Sequence, residues 1–80
     1  MRDVILNAMR QVAAETDCKL VSVIEDNSVL LETGIDSLGF AILVARLEEE
    51  LGYDPFVMME EPTYPRTFGE FVEIYQRFAQ

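Results

Sequence analysis

The 80-residue sequence has no histidine and only one cysteine, Cys18. Without histidine the chain lacks the usual general base near neutral pH and cannot form a Ser-His or Cys-His nucleophile pair. It also lacks a plausible ligand set for zinc, and a single cysteine excludes an intramolecular disulfide. The sequence therefore predicts a protein with no catalytic residues and no metal site of its own.

Basic residues are scarce as well, since six Lys and Arg stand against fifteen Asp and Glu, for a formal net charge of −9. A chain with no basic stripe does not neutralise nucleic-acid phosphates, and an anionic membrane surface would repel it. No apolar run is long enough for a signal peptide or a membrane-spanning helix. We therefore expect a cytoplasmic monomer that binds neither nucleic acid nor membrane.

Hydrophobic residues, in contrast, make up half of the sequence, well above the level expected of a disordered acidic chain. The short length and the absence of any repeat or linker predict a single domain over residues 1–80. Apolar residues at helical spacing predict a first helix that begins at an Asp3 N-cap and ends near Asp17.

A central helix is predicted from Asp36 or Ser37 to Leu51, where a glycine supplies the stop. Its apolar residues cover so much of its circumference that we expect it to be packed on several sides. Between the first two helices, Cys18–Gly34 contains one β-branched stretch with no partner strand, which we interpret as an extended loop over the core.

Two further helices are predicted in the C-terminal third of the chain. Asp54 and the proline after it open a short third helix that runs to about Glu60. Thr67 and Glu70 have the spacing of a capping box and open a fourth, amphipathic helix. We expect Tyr64, in the connector between these helices, to pack back on the core. The predicted fold is an all-α four-helix bundle with a long first loop and a short third helix.

The segment Gly34-Ile35-Asp36-Ser37-Leu38 lies where the long loop meets the central helix. Unsatisfied N–H groups and the positive end of the helix dipole favour a phosphate attached at such a position. Asp36 or Ser37 could instead serve only as a helix cap. The residues alone leave both interpretations open.

This segment, followed by an apolar helix that ends in Leu47–Leu51, resembles the acyl carrier protein family. The order of the helices is similar too, over about Val4 to Phe78. The resemblance implies a four-helix bundle of acyl-carrier type in which Ser37 is the attachment point of 4′-phosphopantetheine. It implies that a phosphopantetheinyl transferase esterifies this serine from coenzyme A, with magnesium needed only by that enzyme.

The same resemblance implies a free-standing carrier, not an enzyme, which holds acyl intermediates as thioesters for a partner ligase, synthase or acyltransferase. Asp36 would be recognised by partner enzymes, and Leu38 would be the first core or partner contact of the helix. The other acidic residues that the resemblance assigns to partner binding are Glu48, Glu49, Glu60 and Glu61.

Gly39, Phe40 and Ile42 depart from the family pattern, because carriers of fatty-acid synthesis usually have acidic residues soon after the modified serine. We include these three residues in the expected partner surface as an apolar window. They favour a specialised lipid or secondary-metabolite pathway over housekeeping fatty-acid synthesis. Gly39 lowers helix propensity by roughly 1 kcal/mol relative to alanine, and either admits a partner backbone or is simply tolerated.

Two alternatives remain open. The chain could be an aminoacyl or peptidyl carrier loaded by an adenylating enzyme, although peptidyl carriers often have histidine where this sequence has Asp36. It could also be an acidic helical adaptor that carries no cofactor, in which case Ser37 would be part of a helix cap and nothing more.

Overall fold

Residues 1–59 and 64–79, which the computed structural model describes, form four α-helices and one short 3₁₀ turn. The all-α fold with a short third helix is thus confirmed. No helix among these residues is both long and apolar enough to cross a membrane. In chain order the elements are α1 (Arg2–Glu15), the 3₁₀ turn (Leu30–Glu32), α2 (Ser37–Leu51), α3 (Pro55–Met58) and α4 (Phe68–Arg77).

Helix α1 begins earlier than the sequence predicted. Its N-cap is Met1, which makes no side-chain capping bond, and the Ile5 N–H already donates to the Met1 carbonyl at 3.2 Å. The prediction that Asp3 caps this helix was wrong, because Asp3 lies within the first turn, where its charge favours the helix N-terminus. The buried face of α1 consists of Ile5, Ala8, Met9, Val12 and Ala13.

Helix α2 has the predicted bounds and ends at Gly52, whose φ of 84° is the left-handed conformation of a glycine stop. Its fully buried residues are Gly39, Leu43 and Leu47, which form a stripe at four-residue spacing. Phe40, Ile42, Val44 and Leu51, on either side of this stripe, also pack against the core. The helix is thus packed on more than one side, as predicted, but not around its whole circumference. Because α3 has only four residues, it cannot cover the opposite side of α2, which stays exposed.

The long loop between α1 and α2 is tied to the start of α4 by backbone hydrogen bonds. The Leu30 N–H donates to the Arg66 carbonyl at 2.9 Å, and the Phe68 N–H donates to the Ser28 carbonyl at 2.8 Å. The extended-loop interpretation is confirmed, apart from the 3₁₀ turn and one isolated antiparallel bridge between Val29 and Thr67. These bonds place the 3₁₀ turn beside the connector that precedes α4.

Helix α4 begins with the predicted capping box. The Thr67 hydroxyl accepts from the Glu70 N–H at 3.2 Å, and the Glu70 carboxylate accepts from the N–H groups of Arg66 at 2.7 Å and Thr67 at 3.2 Å. These two backbone bonds lower the pKa of Glu70 below its ordinary value. The buried face of the helix consists of Phe68, Phe71, Val72, Ile74 and Tyr75.

The prediction that Tyr64 packs on the core was wrong. This side chain is 82% exposed. The interior already contains a cluster of aromatic rings, in which Phe71 lies 5.0 Å from Tyr75 and 5.4 Å from Phe40 between centroids. A further phenol would need both space and a partner for its hydroxyl there. Tyr64 therefore stays on the outside, beside the 3₁₀ turn and the first turn of α2.

Candidate functional site

Gly34 makes the turn that leads the long loop into α2. Its φ of 113° suits only glycine, and a Cβ atom there would lie 2.1 Å from the Lys19 carbonyl oxygen. The Thr33 carbonyl accepts from the Val21 N–H at 2.9 Å, and the next residue, Ile35, is buried. These contacts fix the path of the backbone just before the helix.

Asp36, and not Ser37, is the N-cap of α2. Its backbone is extended, its side-chain Oδ1 accepts from the Gly39 N–H at 2.7 Å, and its carbonyl accepts from the Phe40 N–H at 2.8 Å. Ser37 is therefore the first helical residue. Its side chain is exposed, and within residues 1–59 and 64–79 its hydroxyl has no hydrogen-bond partner. Because another residue caps the helix, the Ser37 hydroxyl is left open to reaction.

The sequence predicted that Gly39 forms part of an exposed partner surface. The structure instead buries this residue. A Cβ atom at this position would lie 2.9 Å from Ile35 Cγ1 and 3.2 Å from Asp36 Oδ1. The absence of a side chain thus lets Ile35 and the capping carboxylate approach the first turn of α2. Its burial also excludes the prediction that Gly39 admits a partner backbone.

The exposed apolar surface beside Ser37 is formed by other residues than the sequence indicated. Phe40 and Ile42 are only half-exposed and pack against the core. Leu38, in contrast, is 67% exposed, which rules out a core contact and leaves partner contact as its predicted role. Leu31, in the 3₁₀ turn, is also largely exposed. The apolar window is therefore smaller along α2 than predicted and extends onto the loop.

A groove of about 390 Å³ opens beside Ser37, between the 3₁₀ turn, the first turn of α2 and the connector before α4. Sequence reasoning missed it, because it is built from segments distant in the chain. The only signal was an apolar run of three residues, Val29-Leu30-Leu31, between polar parts of the loop. Its described lining residues are Leu30, Leu31, Ser37, Phe40, Tyr64 and Pro65.

The predicted acidic partner residues are not gathered around Ser37. Asp36 is adjacent and exposed, but Glu48 and Glu49 lie near the other end of α2, roughly 17 Å along the helix axis at 1.5 Å per residue. Glu60 and Glu61 fall outside the described residues. The structure thus brings together Asp36, Ser37 and Leu38 and separates them from the acidic helix end.

The sequence matches a family model described as a phosphopantetheine attachment site, over residues 6–63. This range covers more than two thirds of the chain and includes the loop, α2 and Ser37, but stops short of Tyr64 and α4. The comparisons with curated proteins and with solved structures gave no significant match.

The residues around Ser37 fit a phosphopantetheine group. A phosphate on its hydroxyl would lie at the N-terminus of a fifteen-residue helix whose first turn carries no acidic residue. Helix N-termini attract phosphate through free N–H groups and the positive end of the dipole. The apolar groove that begins at Ser37 offers a surface to whatever the phosphate carries.

Proposed function

The chain belongs to the phosphopantetheine attachment site family, and on that premise we propose that Ser37 is the attachment residue and that the carried groups are acyl thioesters. As a member of this family the chain is a carrier that is not itself catalytic and that a phosphopantetheinyl transferase modifies. This membership decides against the cofactor-free adaptor. The observation that carries the assignment to Ser37 is its exposed side chain at the first position of α2, where its hydroxyl has no hydrogen-bond partner among residues 1–59 and 64–79.

The other two serines of the chain lack these properties. The Ser28 hydroxyl is half-buried in a turn, where it accepts from the Glu25 N–H at 2.9 Å. Ser22 is exposed but lies in the irregular loop, far in sequence from any helix N-terminus. Of the three, Ser37 alone combines exposure with a helix N-terminus.

The modification needs little from the chain itself. A bond forms between Ser37 Oγ and the phosphorus that bears pantetheine, the pyrophosphate bond of coenzyme A breaks, and adenosine 3′,5′-bisphosphate leaves. The hydroxyl proton passes to a base of the transferase, so the lack of histidine here is no obstacle. The chain contributes a hydroxyl held at a defined place, because Asp36 and Gly39 fix the first turn of α2.

The groove supports acyl over aminoacyl cargo. None of its described lining residues is charged, so an α-ammonium group lying there would find no carboxylate among those residues. An acyl chain would instead bury apolar surface against Leu31 and the Tyr64 ring. We further propose a specialised lipid or secondary-metabolite pathway, since α2 lacks acidic residues in its first turn.

The partner surface that we propose centres on Asp36 and Leu38. Both are exposed and flank Ser37, so an enzyme that reaches the serine also meets a carboxylate and an apolar side chain. Glu48 and Glu49 provide more distant negative charge. Exposed ion pairs contribute about 0.2–1 kcal/mol each, which suits complexes that form and separate quickly.

Intact-mass measurement tests the attachment. Incubation with coenzyme A, magnesium and a broad-specificity transferase is expected to add one phosphopantetheinyl group to the wild type and to Ser22→Ala, a matched control. Ser37→Ala is expected to stay unmodified. Modification of Ser37→Ala, or no modification of the wild type by several transferases, would overturn the proposal.

A panel of loading enzymes tests the cargo. Acyl-ligase and adenylating partners from the same genomic neighbourhood are offered to the phosphopantetheinylated protein with acyl and amino-acid substrates, and the product is weighed. We expect an acyl thioester. Loading by adenylating enzymes with amino acids alone would instead make the chain an aminoacyl carrier.

A further inference from the structure

Phe40 separates two spaces in the protein. On one side its ring lines the groove that begins at Ser37. On the other it belongs to the aromatic cluster of the core, with centroid distances of 5.4 Å to Phe71 and 6.3 Å to Phe56. A group that moved from the groove towards these aromatic rings would therefore meet the ring of Phe40.

Aromatic rings lie directly behind Phe40. Phe71 and Tyr75 are fully buried and lie 5.0 Å apart, and Phe56 stacks on Phe71 at 6.2 Å. Protein interiors are packed as densely as organic crystals, and inserting extra methylene groups forces side chains out of their preferred rotamers. A long chain could enter only by displacing these rings.

We propose that Phe40 keeps the acyl cargo of this carrier in the outer groove, because its ring bars the acyl chain from the aromatic core. The inference rests on the proposed attachment at Ser37. The groove measures about 390 Å³, near the lower end of the roughly 300–1,000 Å³ of small-molecule sites. A groove of this size can hold an acyl group without any rearrangement of the core.

The outer wall of the groove supports the same assignment. Tyr64 lines the groove yet leaves 82% of its surface exposed, so a group lying there would cover apolar ring surface. Leu31, in the 3₁₀ turn, also lines the groove and is 60% exposed. Both residues gain burial only if the cargo stays on the outside of Phe40.

Nuclear magnetic resonance of the loaded wild type tests the proposal directly. A transferase attaches butanoyl- or octanoyl-phosphopantetheine to Ser37 from the corresponding acyl coenzyme A. We expect both acyl chains to show nuclear Overhauser contacts to Leu31 and Tyr64 and none to Phe71 or Tyr75. Octanoyl contacts to Phe71 or Tyr75 would overturn the proposal, and so would acyl chains that contact neither set of residues.

Two matched variants test the role of Phe40. Phe40→Ala removes the ring between groove and core. In this variant we expect the octanoyl chain to contact Phe71. We also expect the octanoylated variant to unfold at a higher temperature than the same variant without an acyl group. Phe56→Ala removes a ring from the same cluster outside the described groove lining, and we expect no such gain. Equal behaviour of the two variants would contradict the proposal. Should Phe40→Ala not fold, Phe40→Leu takes its place.

Intact mass separates this inference from the attachment on which it rests. A protein that gains no acyl-phosphopantetheine mass contradicts the attachment at Ser37. A protein that gains the mass and then buries octanoyl among the core rings contradicts only the role of Phe40.

Discussion

Three neighbouring residues give the Ser37 hydroxyl its position. Asp36 caps α2 through the Gly39 N–H, and Gly39 has no side chain that would push this carboxylate or Ile35 away. The cap was predictable from the sequence, because it depends on residues three apart. The reason for glycine at position 39 could not be predicted, because it is a close contact with Ile35 that exists only in the folded turn. An apolar window at Gly39 was therefore the wrong interpretation.

Asp36 combines a capping role with a proposed charge for partner enzymes, and two substitutions separate these. Asp36→Ala loses the cap and is expected to lower the free energy of unfolding by about 1 kcal/mol. Asp36→Asn keeps the accepting oxygen and is expected to unfold like the wild type but to react more slowly with the transferase. Urea unfolding and the initial rate of phosphopantetheinylation measure the two effects. An unchanged rate in Asp36→Asn would remove the proposed charge recognition.

Gly39→Ala tests the close contact at the first turn. Alanine gains up to roughly 1 kcal/mol of helix propensity, but overpacking typically costs about 1–3 kcal/mol. Because the new Cβ would lie 2.9 Å from a buried Ile35 carbon, we expect the steric term to exceed the propensity and the free energy of unfolding to fall. Ala41→Gly, on the exposed side of the same helix, is the control, because its effect on the free energy of unfolding reports the difference in helix propensity without a steric contact. A stabilised Gly39→Ala would show that the contact relaxes freely.

At the scale of elements, the local signals that begin or end a helix were read correctly except for the Asp3 cap, whereas the non-local contacts were not predicted. The Thr67–Glu70 capping box and the glycine stop of α2 follow from residues a few positions apart, and the structure confirms both. The groove depends on the 3₁₀ turn meeting the connector before α4, which hydrogen bonds such as that from Leu30 to Arg66 bring about. No spacing in the sequence encodes that meeting, so the exposed position of Tyr64 could not be predicted.

The Glu70 carboxylate makes the start of α4 sensitive to acid. Its pKa is lowered in the folded state by the backbone N–H groups of Arg66 and Thr67. Its contribution is therefore present above the ordinary glutamate pKa of about 4.3 and is lost as the pH falls below it. We expect Glu70→Ala to be less stable than the wild type at pH 7, with a difference that shrinks on acidification below that value.

Glu70→Gln is the matched control for this prediction, since it keeps an accepting oxygen but cannot ionise. We expect Glu70→Gln to be less stable than the wild type at pH 7, but by less than Glu70→Ala. We also expect this difference to shrink on acidification, as for Glu70→Ala. Thermal unfolding followed by circular dichroism between pH 7 and pH 3 measures both variants. A Glu70→Ala deficit that is independent of pH would contradict a role for the ionised carboxylate.

On the scale of the whole molecule, the excess of negative charge is largely uncompensated. Of the six basic residues, three form ion pairs among the described residues, namely Arg2 with Asp26, Arg46 with Glu15, and Arg77 with Glu73. Pairs this exposed contribute little. The net charge of −9 therefore acts as a diffuse field, which repels itself and attracts basic surfaces on other proteins.

Salt should consequently stabilise this protein. Raising the ionic strength from about 0.01 to 0.15 M shortens the Debye length from roughly 30 to 8 Å, which screens repulsion across the molecule more than contacts within a pair. We expect the thermal unfolding midpoint to rise over this range of sodium chloride. A falling midpoint would mean that the three ion pairs outweigh the repulsion.

Peptide mapping by tandem mass spectrometry, on protein purified from its native host, tests the central claim most directly. The account predicts phosphopantetheine, bare or bearing an acyl group, on the peptide that contains Ser37 and at that residue. Phosphopantetheine on Ser22 or Ser28, with Ser37 unmodified, would contradict it.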